Sequence, residues 1–181
     1  MEILDAIKYF AKFPARAGVE KCFSSPDAAI PGYSDLQTYI SSLPDPLMPD
    51  IGDFIFGMDE EKIAERIRNI EGYFMYVEYA TIKGSSLDQF RKRSTDFNLA
   101  IIIGCHYNKR NIDNMGEALV MDKALTYIMQ LSEYMKLDDA LVCGNKRMLD
   151  GPLNIAPIPP FLLYQSYGWE LSFSKTNNLL L

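Results

Sequence analysis

The chain has 181 residues, of which 48% are hydrophobic, 23% charged and 12% aromatic. This length suits one domain with a buried core, and the aromatic share excludes a largely disordered chain. Its 24 acidic and 18 basic residues give a formal net charge of -6. Such a charge repels phosphate backbones, so we expect no nucleic-acid partner, sequence-specific or otherwise.

The cysteines and the first residues bear on the compartment. Three cysteines, Cys22, Cys105 and Cys143, show no C-x-x-C spacing, which predicts neither a disulfide framework nor a metal site. The chain begins with Glu2 and Asp5 where a secretory signal carries positive charge, and no apolar run approaches the ~20 residues that span a bilayer. We therefore expect a cytoplasmic protein with no membrane partner.

The N-terminal region combines a short helix with many prolines. Ile3, Ile7 and Phe10 recur at helical spacing, which predicts an amphipathic helix that ends before Pro14. Residues 13–52 hold six of the ten prolines and are predicted to form an irregular excursion. One short helix is expected inside it, capped by Ser34 or Asp35 and ended by Pro44, with an apolar side. That side consists of Leu36, Tyr39, Ile40 and Leu43.

The middle of the chain carries the clearest signals. Asp59 as N-cap and Gly72 as C-terminal stop bound a predicted helix with a stripe of isoleucines. Two apolar stretches rich in aromatic and β-branched residues, 73–82 and 96–107, are predicted strands. A long helix follows over 114–136, where Asn114 and Glu117 form a capping-box pattern.

The C-terminal part closes the predicted fold. Three prolines between residues 157 and 160 indicate a stiff extended connection, and residues 164–175 alternate as a half-exposed strand does. The whole chain, residues 1–181, is thus predicted to be one α+β domain. Its small, mainly antiparallel or mixed sheet packs against two helices, with the proline-rich excursion beside them.

The residues needed for catalysis or for cofactor binding are scarce. His106 is the one histidine, and because neighbouring strand residues point to opposite faces, Cys105 and His106 are not expected to serve one substrate or metal ion. No phosphate-binding glycine pattern occurs. We therefore predict no catalytic, cofactor-binding or metal-binding residues. An enzyme with unfamiliar chemistry, built around His106, is the last-ranked alternative.

Aromatic residues leave a further alternative open. They could line a cleft, which would make the protein a small-molecule or protein-binding module rather than an assembly subunit. The residues concerned are Tyr73, Tyr76, Tyr79, Tyr107, Tyr167 and Trp169.

Element order and one motif carry a family resemblance. A strong strand over 96–106, a long helix over 115–136 and the closing pattern Tyr-Gly-Trp-x-Leu-x-Phe over 167–173 resemble phage tail-terminator and tail-completion proteins. The likeness covers roughly the C-terminal half, and the 13–52 excursion is longer than such proteins typically carry. The resemblance implies a cyclic homo-oligomer that caps or joins a tail tube, without catalytic residues.

Together these patterns predict a non-enzymatic structural protein of phage or prophage origin. It would be cytoplasmic or associated with the virion, and its partners would be further copies of itself or other structural subunits. Assembly is expected through exposed strand edges and apolar loops. The candidate interface residues are aromatic: Tyr167, Trp169, Phe173, Tyr33 and Phe23.

Overall fold

A computed structural model describes residues 3–24, 30–84, 93–106, 113–140, 153–160, 163 and 165–179. These residues contain five helices and five strands, which confirms the predicted α+β class. In chain order the elements are α1 (Ile3–Phe10), α2 (Arg16–Cys22), α3 (Tyr33–Ser41), β1 (Asp53–Phe56), α4 (Glu60–Arg68), β2 (Gly72–Gly84), β3 (Arg93–His106), α5 (Asn114–Ala140), β4 (Asn154–Ile158) and β5 (Tyr167–Leu179).

The five strands form one mixed sheet in the order β1-β2-β3-β5-β4. β1 and β2 run parallel and are joined through α4, as the crossover of a parallel pair requires. The other three pairings are antiparallel, and β3 is the central strand. The sheet is therefore mixed, which is one of the two forms that the sequence predicted.

The larger core lies on the face of the sheet that α1, α2, α3 and α5 cover. Odd-numbered residues of the long strands point into it, among them Met75, Ile101, Ile103 and Leu171, all fully buried. α5 contributes a stripe at helical spacing, which consists of Val120, Ala124, Tyr127, Ile128, Leu131 and Met135.

A smaller core lies on the opposite face, beneath α4. Ile63 and Ile67 of this helix pack with Phe74 of β2 and Leu163. The helix begins as predicted, because Asp59 accepts a hydrogen bond from the backbone N–H of Lys62 at 3.2 Å. The two clusters show that the sheet is covered on both faces near its middle.

The structure corrects two predictions about helices. The sheet packs against five helices rather than two, and the 13–52 stretch contains α2 as well as the expected α3. Arg16 ties parts of this stretch together, since it donates hydrogen bonds to the carbonyls of Ser41 at the end of α3 and of Leu43 and Pro44 beyond it. Six apolar residues of the 13–52 stretch belong to the larger core. They are Phe13, Val19, Leu36, Ile40, Met48 and Ile51.

The start of α5 also differs from the prediction. Asp113, not Asn114, caps the helix, because its Oδ1 accepts a hydrogen bond from the N–H of Gly116 at 2.8 Å. The helix then runs 27 residues, about 40 Å.

A polar contact ties α1 to the far end of α5. Asp138 accepts a hydrogen bond from the hydroxyl of Tyr9 at 2.8 Å. It also forms a salt bridge with Lys12. Burial alone would raise the pKa of Asp138, but these two donors outweigh it and hold the pKa below its ordinary value. Conversely, burial and the adjacent carboxylate raise the pKa of Tyr9.

We expect Asp138→Asn to lower the free energy of unfolding by about 1 kcal/mol at pH 7, since the half-exposed carboxylate loses a charge-assisted contact. Because the folded-state pKa of Asp138 is lowered, this contribution is present above the unfolded-state pKa near 3.8 and disappears as the pH falls through the folded-state pKa. Urea denaturation at pH 7 and in acid measures the difference. Asp122→Asn, on the exposed side of the same helix, is the control, and a difference that persists in strong acid would contradict this account.

The close packing of α2 against the backbone of Gly52 leads to a second prediction. A Cβ on Gly18 would lie 2.1 Å from the carbonyl oxygen of Gly52, so α2 can approach this backbone only with glycine. We expect Gly18→Ala to cost about 1–3 kcal/mol or more in denaturant unfolding, as overpacking does. Gly52→Ala is the matched control, because its Cβ would meet only the Tyr73 oxygen at 3.9 Å. Equal stability of the two variants would refute the contact.

Candidate functional site

His106 and its neighbours do not form an accessible catalytic arrangement. The ring Nδ1 of His106 lies 3.1 Å from the hydroxyl of Ser166, and desolvation lowers the pKa of the histidine. The hydroxyl belongs to a residue with 0% exposure, so it has no access to a substrate. A turn holds it there, with the N–H of Ser166 bonded to the carbonyl of Leu163 at 2.8 Å. The contact therefore gives the buried hydroxyl of Ser166 a hydrogen-bond partner, and it does not present this hydroxyl to a substrate as a nucleophile.

Burial makes the two described cysteines poor nucleophiles. Cys105, next to His106 on β3, lies on the α5 side of the sheet within electrostatic range of Lys123, and burial raises its pKa to about 11. Cys143 lies outside the described residues. Burial also raises the pKa of Cys22, although the Arg66 guanidinium, 3.2 Å away, opposes the shift. Within the described ranges, no group of three or more His, Cys, Asp or Glu residues could hold a metal ion.

One small cavity lies between α2, β1 and the end of α4. It measures about 120 Å³ and has mixed walls, with Phe54 and Ile70 beside the ion pair of Lys21 and Asp53 at 3.0 Å. None of the aromatic residues considered for a ligand cleft lines it. Arg66 also lines the cavity, so its charged side chains are two cations and one carboxylate.

The described aromatic residues that were considered for a cleft lie on both faces of the sheet. Tyr73 packs edge-on against Tyr127 at 5.2 Å, and Trp169 donates to the carbonyl of Met121 at 3.0 Å, so both fasten α5 to the sheet. Tyr76 belongs to the core on the other face. The Tyr79 side chain and Tyr107 lie outside the part of the chain that the structure describes.

The five candidate interface residues make their described contacts within the chain. Phe173 is 5% exposed, and Trp169 packs on the larger core. Phe23 lies 6.1 Å from Phe54, and its carbonyl accepts a hydrogen bond from Tyr33. Tyr167 is partly buried. The role of these five residues in an interface stays a prediction. Two other surfaces are candidates for contact with another molecule.

The first such surface is a projecting part of the sheet. β1 pairs only with residues 74–77 of β2, and β4 pairs only with residues 168–172 of β5. The three long strands continue beyond both, paired through β3. We call this part the sheet extension, which consists of residues 78–84, 93–100 and 173–179. Each of its two outer strands has one backbone edge that pairs with no strand in the ranges described.

The second surface is the outer side of α5, where the helix repeats apolar residues away from the core. Met115, Leu119, Met129 and Leu137 are 67%, 64%, 46% and 63% exposed. Leu47 of the 13–52 stretch, 43% exposed, lines a shallow groove with Met129 and Leu137. We call these five residues the apolar strip. Polar residues of α5, among them Asp122, Thr126 and Glu133, line the same groove, so the exposed apolar residues alternate with polar ones on this side.

Sequence reasoning found the long strands but not the sheet extension. Strand length could have revealed it, because the predicted strands exceed the usual five or six residues. The edges themselves depend on where the short strands β1 and β4 stop, and this depends on tertiary contacts.

Two further observations bear on identity. No protein-family model and no curated protein matches this sequence. None of the described helices combines the length and the apolar character needed to cross a membrane.

Thiol labelling tests the account of the cysteines. Burial raises the pKa of Cys105 from 9.0 to about 11, so its thiolate fraction near neutral pH falls about 100-fold. We therefore expect iodoacetamide to label Cys105 at least that much more slowly in the folded protein than in denaturant, as measured by peptide mass spectrometry. Labelling of Cys105 at the denatured rate in the folded chain would refute its burial.

Proposed function

We propose that this chain is a non-enzymatic structural protein that assembles into a homo-oligomer through exposed strand edges and apolar loops. The observation that carries the proposal is the sheet extension, whose two outer strands present unpaired backbone edges in the described part of the chain. An unpaired edge offers a row of N–H and C=O groups to another strand.

The apolar strip supports the same proposal. Its residues lie on a helix and a loop rather than in a pocket, and the groove between them is shallow and open. Apolar area of this shape suits contact with another protein better than enclosure of a small molecule. The loop residue Leu47 is the part of the 13–52 stretch that reaches this surface.

Chemistry argues in the same direction. The described His106, Ser166 and Cys105 are buried or held in ways that favour structural roles. The resemblance to tail-terminator and tail-completion proteins narrows the proposal to a subunit of phage or prophage origin, cytoplasmic or associated with the virion. In that setting the oligomer, alone or with other structural subunits, would cap or join a tail tube.

Light scattering coupled to size-exclusion chromatography tests assembly. We expect the mass to rise with concentration toward a whole multiple of one chain. The net charge of -6 opposes association of like copies, so salt should strengthen it. Raising the salt from about 0.1 M to about 1 M shortens the Debye length from about 10 Å to about 3 Å.

The outcome that contradicts the proposal is a mass of one chain at every concentration and salt. Masses without a fixed multiple would indicate nonspecific aggregation and would also count against it.

A further inference from the structure

Three of the four outer edge segments of the sheet carry features that discourage pairing. β1 is only four residues long, and β4 contains Pro157, which has no backbone N–H. β2 carries a register shift between Tyr79 and Thr81 as it enters the sheet extension. Short edge strands, prolines and bulges are the means by which proteins protect sheet edges from other chains.

The fourth segment, residues 173–179 of β5, has none of these features. Its register with β3 continues without a shift from Tyr167 to Leu179, and it contains neither proline nor glycine. β4 stops opposite Ser172, and no other described strand lies on this side of β5 beyond it. This edge is therefore regular over seven residues, a length of about 23 Å, and no strand of the described ranges pairs with it.

The sequence of this edge is complementary to itself. In an antiparallel pair of two copies centred on Thr176, no residue meets a like charge, and the single lysine meets an asparagine. Threonine opposite threonine is a favourable cross-strand pair. The pairs are Phe173 with Leu179, Ser174 with Asn178, Lys175 with Asn177, and Thr176 with Thr176.

We propose that two copies of this chain pair antiparallel along residues 173–179 of β5, with the two Thr176 residues opposite each other on a two-fold axis. The pairing joins β2, β3 and β5 of both copies into one continuous six-stranded sheet. The inference rests on the proposed function, since it names the partner and the surface of the assembly. Two-fold pairing uses twice the described edge that has no shift, proline or glycine, whereas pairing of β5 with β2 of the next copy would involve the shifted edge.

Charge substitution at the axis tests the pairing. Thr176→Lys places two lysines opposite each other, and Thr176→Glu does the same with glutamates, so each should weaken the dimer about five-fold or more. A mixture of the two variants should form a heterodimer at least as tight as the wild-type dimer, because unlike charges then meet. Thr81→Lys, on the shifted β2 edge, is the matched control and should leave dimerisation unchanged. Sedimentation of each protein measures the dissociation constant, and circular dichroism confirms folding.

A disulfide at the axis provides a second, register-specific measurement. Opposed Cα atoms in an antiparallel pair lie about 4.5–5.5 Å apart, within the range of about 4.4–6.8 Å that a disulfide spans. Thr176→Cys should therefore form a covalent dimer on mild oxidation, above the background of the wild-type cysteines. Asn178→Cys is the control, because its two copies would lie about 13 Å apart along the strands.

The outcomes separate this inference from the proposed function. A wild-type protein that stays monomeric overturns both. An oligomer that is insensitive to Thr176→Lys, or that cross-links equally through Asn178→Cys, overturns the β5 pairing and leaves assembly through another surface, such as the apolar strip. Weakening by each charge, recovery in the mixture and selective cross-linking at position 176 together support it.

Discussion

The structure depends on β3 having an antiparallel neighbour on each side along nearly its whole length. The ladder from Arg93 to His106 sets which residues of β2 and β5 face each core, because side chains alternate along paired strands. The register of β5 is constant, and that of β2 is constant from Gly72 to Tyr79. α5 can then pack across the sheet with one continuous stripe. A shift of one residue in β3 would turn Ile101 and Ile103 out of the larger core and bring Ile102 into it.

The same alternation keeps Cys105 and His106 of β3 apart. Cys105 lies on the side of the sheet that carries α5, within electrostatic range of Lys123, while His106 lies next to Ser166 on the other side. Ser166 is buried and its hydroxyl has a partner. Among the described residues, the sheet extension offers backbone hydrogen-bonding groups to another molecule, and the apolar strip offers exposed hydrocarbon.

Local patterns predicted much of the fold. The Asp59 cap, the α5 stripe and the three long strands are encoded in short windows of sequence, and the structure has them within a few residues. β1 was missed because Asp-Phe-Ile-Phe is only four residues long and is held by parallel pairing with distant β2. α2 was missed because Gly18, a poor helix former, is required there by contact with Gly52 rather than by helix propensity.

The candidate surfaces were harder to predict for the same reason. Aromatic residues such as Trp169 and Phe173 attract attention in a sequence, but their size also makes them core residues, and here they pack beneath α5. An edge becomes visible only when the neighbouring strands are known to stop. The polar run from Ser174 to Asn178 gives no sign of this on its own.

The contact of Tyr9 and Lys12 with Asp138 has a consequence for how the chain matures. These partners are separated by more than 120 residues, and the helices they join share one core. During synthesis the N-terminal helices emerge long before α5 exists, with Phe10 and Phe13 still lacking cover. Their docking must therefore await synthesis of residues 114–140, and until then the N-terminal helices lack the part of their core that α5 supplies.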